Sequence, residues 1–148
     1  MSRKTSRPHQ RGFSLIELMI TVAVLAIIAA IAYPSYINQV TKSHRSTGQS
    51  KLLEIMQAQE RYFTTNNTYT DDLTDLGYGS AGAVPADGGW YTVAAAACSK
   101  TIPINQCVLL TATPQNSQAT NDTTCGNLTL NSRGQKGETG TGSVDECW

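Results

Sequence analysis

Between Phe13 and Ala32 the chain runs for twenty residues with only Ser14, Glu17 and Thr21 polar. Twenty helical residues span about 30 Å, the thickness of a bilayer's hydrocarbon core. The run is therefore long enough to cross a membrane. One carboxylate, Glu17, sits near its start. Placing such a charge in an apolar helix costs about 2.5–3.5 kcal/mol at the helix centre and less near an end. A carboxylate kept there calls for a partner.

The residues before the run narrow the choice. They hold Arg3, Lys4, Arg7 and Arg11, no acidic residue and no apolar stretch of their own. A secretory signal places its cleavage site after its apolar stretch, beside small residues. Here the order is reversed: a basic leader, then Gly12, then the apolar run. Gly12-Phe13-Ser14-Leu15-Ile16-Glu17-Leu18-Met19, with Pro34 further on, resembles the class III signal of type IV prepilins. The resemblance implies that a membrane prepilin peptidase cuts between Gly12 and Phe13 and methylates the new Phe13 amine. The apolar helix then stays on the mature chain. It assigns assembly roles to Glu17 and Pro34. An ordinary signal-anchor helix would leave Glu17 and the Gly12–Phe13 junction unexplained.

Cleavage would remove four of the eleven basic residues, leaving seven Lys and Arg against eleven Asp and Glu, a net charge of −4. A protein that grips nucleic acid over a broad surface is usually basic. The excess of Lys and Arg before the run predicts a cytoplasmic N-terminus, with everything after residue 36 outside the inner membrane. The four cysteines, Cys98, Cys107, Cys125 and Cys147, suit that oxidising side and suggest two disulfides. Three connectivities are open. Nearest-neighbour pairing, Cys98–Cys107 and Cys125–Cys147, closes the shortest loops and is the expected one. Zinc is disfavoured because the cysteines form no closely spaced pair and His9 and His44 lie far upstream. No metal or cofactor is expected.

Residues 13 to about 64 read as one long helix, bent near Pro34, with Gly48 a second weak point. Leu52, Ile55, Met56, Gln59, Tyr62 and Phe63 repeat at helical spacing and predict a stripe packed under a sheet. Glu54 and Arg61 read as solvated. Gly77 to Gly89 reads as a connection without its own core. Strands are predicted over 90–97, 107–113 and 126–131, a polar surface loop over 114–124, and an irregular tail beyond Gly134. Asp71, Asp72 and Asp75 could bind calcium but lack the EF-hand pattern, so a solvated loop is expected. His44 sits among polar neighbours, which gives a Ser–His pair little support, and no enzyme activity is expected.

The pilin resemblance extends through Gln59-Glu60-Arg61-Tyr62-Phe63, Ala112-Thr113-Pro114-Gln115, Cys125-Gly126-Asn127-Leu128-Thr129-Leu130-Asn131 and the closing Cys147-Trp148, which are similar to PilE-type minor pilins. It implies an α+β type IV pilin fold: a long bent N-terminal helix on an antiparallel sheet, with a disulfide-bounded C-terminal loop. The implied domains are a leader at 1–12, a transmembrane and assembly half-helix at 13–36, and a periplasmic or extracellular domain at 37–148. The implied function is a minor subunit of a type IV pilus. Its partners are the peptidase, the major pilin and other minor pilins, the inner-membrane assembly platform, and the lipid bilayer before assembly. Capture of DNA or a surface ligand is the alternative. For DNA the C-terminal domain offers only Lys100, Arg133 and Lys136 as a basic patch. A type II secretion pseudopilin shares the helix but tends to lack disulfides.

Processing is directly measurable. Intact-mass analysis of the mature protein should show loss of residues 1–12 and one added methyl on Phe13. A mature chain that retained Met1–Gly12 would refute it.

Overall fold

The computed structural model describes residues 12–148, so the basic leader before Gly12 lies outside the described residues. The chain divides after Tyr36 into two units. A single helix, α1 (Leu15–Asn66), contributes to both, and Pro34 lies inside it. In the first unit the apolar side chains from Phe13 to Ile31 stand exposed. α1 is long and apolar enough to cross a membrane.

In the second unit α1 buries Thr41, Arg45, Gly48, Leu52, Ile55, Ala58 and Gln59. Steps of four and three residues keep these positions on one helix face. The stripe thus begins at Thr41, well before the apolar pattern at Leu52, and its early part is polar. Gly48 lies buried in this stripe. A Cβ there would come within 2.9 Å of the Tyr91 ring, so the missing side chain lets helix and sheet approach closely.

After α1 the chain is pinned by Gln59. Its amide donates to the Thr70 carbonyl (2.6 Å) and accepts from the Thr70 N–H (3.1 Å), as a strand neighbour would. Asp72 then caps a 3₁₀ turn, Leu73–Leu76, through the Thr74 N–H. The three-aspartate segment is therefore partly a capping device. Those bonds to Thr74 hold the Asp72 carboxyl below its usual range.

The sheet is a five-stranded antiparallel meander whose strands lie side by side in chain order. Its strands are β1 (Val84–Pro85), β2 (Tyr91–Ala97), β3 (Val108–Pro114), β4 (Leu128–Asn131) and β5 (Lys136–Glu138). Val93 faces Ala112, Leu110 faces Leu130, and Ala112 faces Leu128. Paired residues share a sheet face, and this one is buried with Leu52 and Ile55 of α1. Burying each such large side chain contributes about 1.5–3 kcal/mol. The other face carries Thr92, Thr111 and Thr129, which are less buried.

Three expected irregular stretches contain structure. The glycine-rich connection holds β1, with Val84 and Ala86 buried. The polar 114–124 loop forms α2 (Asn116–Asn121). The tail holds β5 and α3 (Val144–Cys147). In each case tertiary partners supply what local apolar patterning lacks.

Disulfides join Cys98 to Cys107 and Cys125 to Cys147. The second closes a loop with a sequence separation of 22, worth about 3 kcal/mol in the chain-entropy model. Inside that loop Gly140 N–H donates to the Cys125 carbonyl (3.2 Å) and Gly142 N–H to the Thr124 carbonyl (2.7 Å). A side chain at Gly140 would overlap the Thr124 carbonyl, so backbone meets backbone directly.

Candidate functional site

Three arrangements carry chemistry. The first is the start of α1, where Gly12, Phe13, Ser14 and Glu17 lie together. The Ser14 carbonyl accepts from the N–H groups of Glu17 (3.1 Å) and Leu18 (3.2 Å), which opens the helix. Glu17 occupies the first turn, where a carboxylate is favoured by the helix dipole. Among the described residues it makes no ion pair within the chain.

The second is a buried ionic network that no sequence motif announces. Arg45 grips Asp122 with two nitrogens, Nε to Oδ2 at 2.9 Å and Nη2 to Oδ1 at 2.6 Å. Both side chains are nearly excluded from solvent, at 10% and 1% relative exposure. Asp122 Oδ2 also accepts from the Tyr91 hydroxyl (3.0 Å) and from Gln118 Nε2 (2.9 Å). Arg45 Nη1 reaches the Glu146 carbonyl at 3.3 Å. The network therefore joins α1, β2, α2 and α3. Its hydrogen bond to Asp122 raises the Arg45 guanidinium above its ordinary pKa and keeps it charged. Removing one partner of such a pair costs about 3–5 kcal/mol, because the other charge stays buried.

His44 belongs to the rim of this network rather than to solvent. Its ring stacks on Trp90 with centroids 3.9 Å apart. Gln118 Nε2 faces three acceptors, Asp122, the Tyr91 hydroxyl and the Thr41 carbonyl, so its Oε1 is the atom 3.2 Å from His44 Nδ1. An amide oxygen only accepts, so Nδ1 carries the proton. Glu54, expected to be solvated, holds Lys51 at 3.0 Å and the Tyr78 hydroxyl at 2.9 Å. Lys51, with Tyr78 assisting, pulls the Glu54 carboxyl below its usual range.

The third arrangement is one end of the sheet. The β2–β3 loop and the β4–β5 turn emerge there together, and the Ser132 N–H donates to the Val108 carbonyl at 2.9 Å. Lys100 lies in the loop, Arg133 in the turn and Lys136 at the start of β5, all three exposed. Lys136 Nζ stands 4.8 Å from the centre of the Trp148 ring. The Cys98–Cys107 disulfide ties the base of the loop, where Cys98 N–H also donates to the Cys107 carbonyl. The sequence supplied the three cations. Only the register of β3 with β4 puts their loops side by side.

The family described as "Type IV minor pilin ComP, DNA uptake sequence receptor" matches residues 34–129. The prokaryotic N-terminal methylation motif matches residues 7–33. The type IV major pilin protein PilA of Myxococcus xanthus is 39% identical over 71 residues, covering 48% of this chain and 32% of that protein. The type IV wide pilus major component PilA4 of Thermus thermophilus is 32% identical over 91 residues, covering 62% of this chain and 70% of that protein. The chain thus spans about a third of the length of the first relative. A solved type IV pilin from Shewanella oneidensis is 22% identical, with a TM-score of 0.47 over 65% of this chain and 89% of that one.

The network also has a signature in alkali. Burial pushes the Tyr91 phenol up to about 12, Gln118 opposing the shift and the Asp122 charge adding to it. An unfolded tyrosine ionises near pH 10. The neutral phenol's contribution is therefore complete below about pH 10 and lost as pH rises towards 12. Tyr91→Phe should lower stability by about 1 kcal/mol at neutral pH. Its melting-temperature gap from the wild type should close between about pH 10 and pH 12. A constant gap would show that Tyr91 ionises as freely folded as unfolded.

Proposed function

We propose, for a chain that belongs to the type IV pilin family of the minor pilin ComP, the role of a minor subunit of a type IV pilus. The role is structural rather than enzymatic. The observation that carries this reading is the exposed apolar part of α1, from Leu15 to Ile31, with one carboxylate in its first turn that has no ion-pair partner among the described residues. Such a surface needs lipid or the like surfaces of other subunits. Before assembly it would anchor the chain in the inner membrane, with the leader in the cytoplasm where the prepilin peptidase removes it at Gly12. In the fibre, helices of the major pilin and other minor pilins would replace the lipid.

Cleavage gives Glu17 its partner. The new Phe13 amine is a cation near neutrality, with an ordinary pKa of about 7.7–8.0. Glu17 of an incoming subunit can pair with the Phe13 amine of a neighbour already in the growing base. In apolar surroundings an unmatched carboxylate is costly, so the pair rewards correct axial register. Pro34 removes one backbone donor from α1 and gives it a point of weakness for packing among other subunits.

A second reading adds DNA capture by the exposed domain. The family's description as a DNA uptake sequence receptor favours it. So does the gathering of Lys100, Arg133 and Lys136 at one end of the sheet. Three cations on a loop, a turn and a strand start at that end can contact phosphates of a duplex, although the mature chain is acidic overall.

Each reading has its own test. Glu17→Ala should leave cleavage and membrane insertion intact but lower the amount of this subunit in sheared pili. Equal incorporation would reduce Glu17 to an interfacial charge. For DNA, the Lys100→Ala, Arg133→Ala, Lys136→Ala triple variant should weaken duplex binding in fluorescence anisotropy. It should also flatten the salt dependence, by about 0.9 in log–log slope for each phosphate no longer neutralised. Unchanged binding would remove the sheet end from the reading.

A further inference from the structure

Beside the buried network a groove of about 270 Å³ opens along α1, lined by Asn38, Thr41, Lys42, Arg45, Asn121 and Glu146 among others. Its free groups are of both signs. Both oxygens of Asp122 already accept hydrogen bonds. Arg45 has five N–H groups. Three are engaged, which leaves one on each terminal nitrogen. Lys42 is exposed and, among the described residues, makes no ion pair. Glu146 meets Arg45 through its backbone carbonyl, so its exposed carboxylate is also unpaired among the described residues.

A simple anion would satisfy Lys42 and Arg45 and leave Glu146 repelling it, and a simple cation would do the reverse. The groove suits a ligand with a phosphate and a primary ammonium joined by a short linker. Its place in the chain says where such a ligand comes from. Asn38 lies six residues after Ala32, the end of the apolar run. Six residues of chain reach at most about 20 Å. Tyr33 and Tyr36 stand exposed at that boundary, and tyrosine is enriched where a helix leaves the hydrocarbon for the headgroups.

We infer that this groove takes the phosphoethanolamine headgroup of a bilayer lipid while the chain is in the membrane. The phosphate meets Lys42 and the free N–H groups of Arg45, and the ammonium meets Glu146. A choline headgroup has no N–H to give Glu146, and a glycerol headgroup has no cation. Recognition therefore distinguishes the three.

The test uses the full chain in detergent micelles, titrated with short-chain phosphatidylethanolamine, phosphatidylcholine and phosphatidylglycerol. Binding is read by NMR at the side-chain amides of Asn38 and Asn121. Phosphatidylethanolamine should saturate at about tenfold lower concentration than either other lipid, the value of one charge-assisted hydrogen bond. Soluble glycerophosphoethanolamine should shift the same amides more weakly. Glu146→Gln should erase the preference and Lys42→Gln should weaken all three lipids alike, with the melting temperature nearly unchanged, since neither side chain hydrogen-bonds within the buried network. The inference is overturned by equal responses, by a preference for phosphatidylglycerol, or by a Glu146→Gln variant that keeps the preference. Soluble headgroup binding as tight as the lipid would overturn the assignment to a membrane source.

Discussion

The Arg45–Asp122 ion pair is the interaction on which the second unit depends. Two charges taken out of water lose several kcal/mol each in hydration, and attraction alone does not always repay it. Here the repayment comes from geometry. The guanidinium meets both carboxylate oxygens, and Tyr91 and Gln118 fill the acceptor capacity that remains. The pair also organises. α2 has six residues, too few to hold as an isolated helix, and Asp122 is its C-terminal flanking residue. α3 has four residues and meets Arg45 through the Glu146 carbonyl. Neither element has an apolar face wide enough to specify where it docks.

The first part of α1 and the second unit solve opposite problems. The former leaves its apolar surface open, so its stable state is in lipid or among other helices. The second unit satisfies itself: a thin sheet, one face of α1, two disulfides and a polar lock. A domain this small buries too little apolar surface to be indifferent to such staples. The disulfides sit where hydrophobic packing is weakest, one at the base of the β2–β3 loop and one holding the tail against the Thr124–Cys125 backbone. At the loop end Lys100, Arg133 and Lys136 are exposed, and the ties there are covalent or backbone-to-backbone rather than apolar.

The helix, the three main strands and the apolar stripe at Leu52, Ile55 and Met56 were legible because each has its own period. Glu17 stands out in the sequence because a charge inside an apolar run is a local anomaly. Other positions misled. Gly48 looks like a helix defect in sequence and is a contact point for the Tyr91 ring in the fold. His44 sits among polar neighbours in sequence and is stacked on Trp90 in the fold. Gln118 and Asp122 look like surface loop and are almost fully buried. A polar residue is read as exposed unless its partner is known, and these partners come from distant parts of the chain.

The sequence alone therefore determined the membrane-length helix, the three main strands and a shortest-loop disulfide pairing. Each of those follows from spacing along the chain or from short-range covalent geometry. Tertiary structure decided the polar lock, the docking of α2 and α3, the edge strands β1 and β5, and the convergence of three cations at one end of the sheet. Arg45 and Asp122 are separated by 77 positions. No periodicity links residues that far apart, and whether a charge is buried depends on what the rest of the chain places over it.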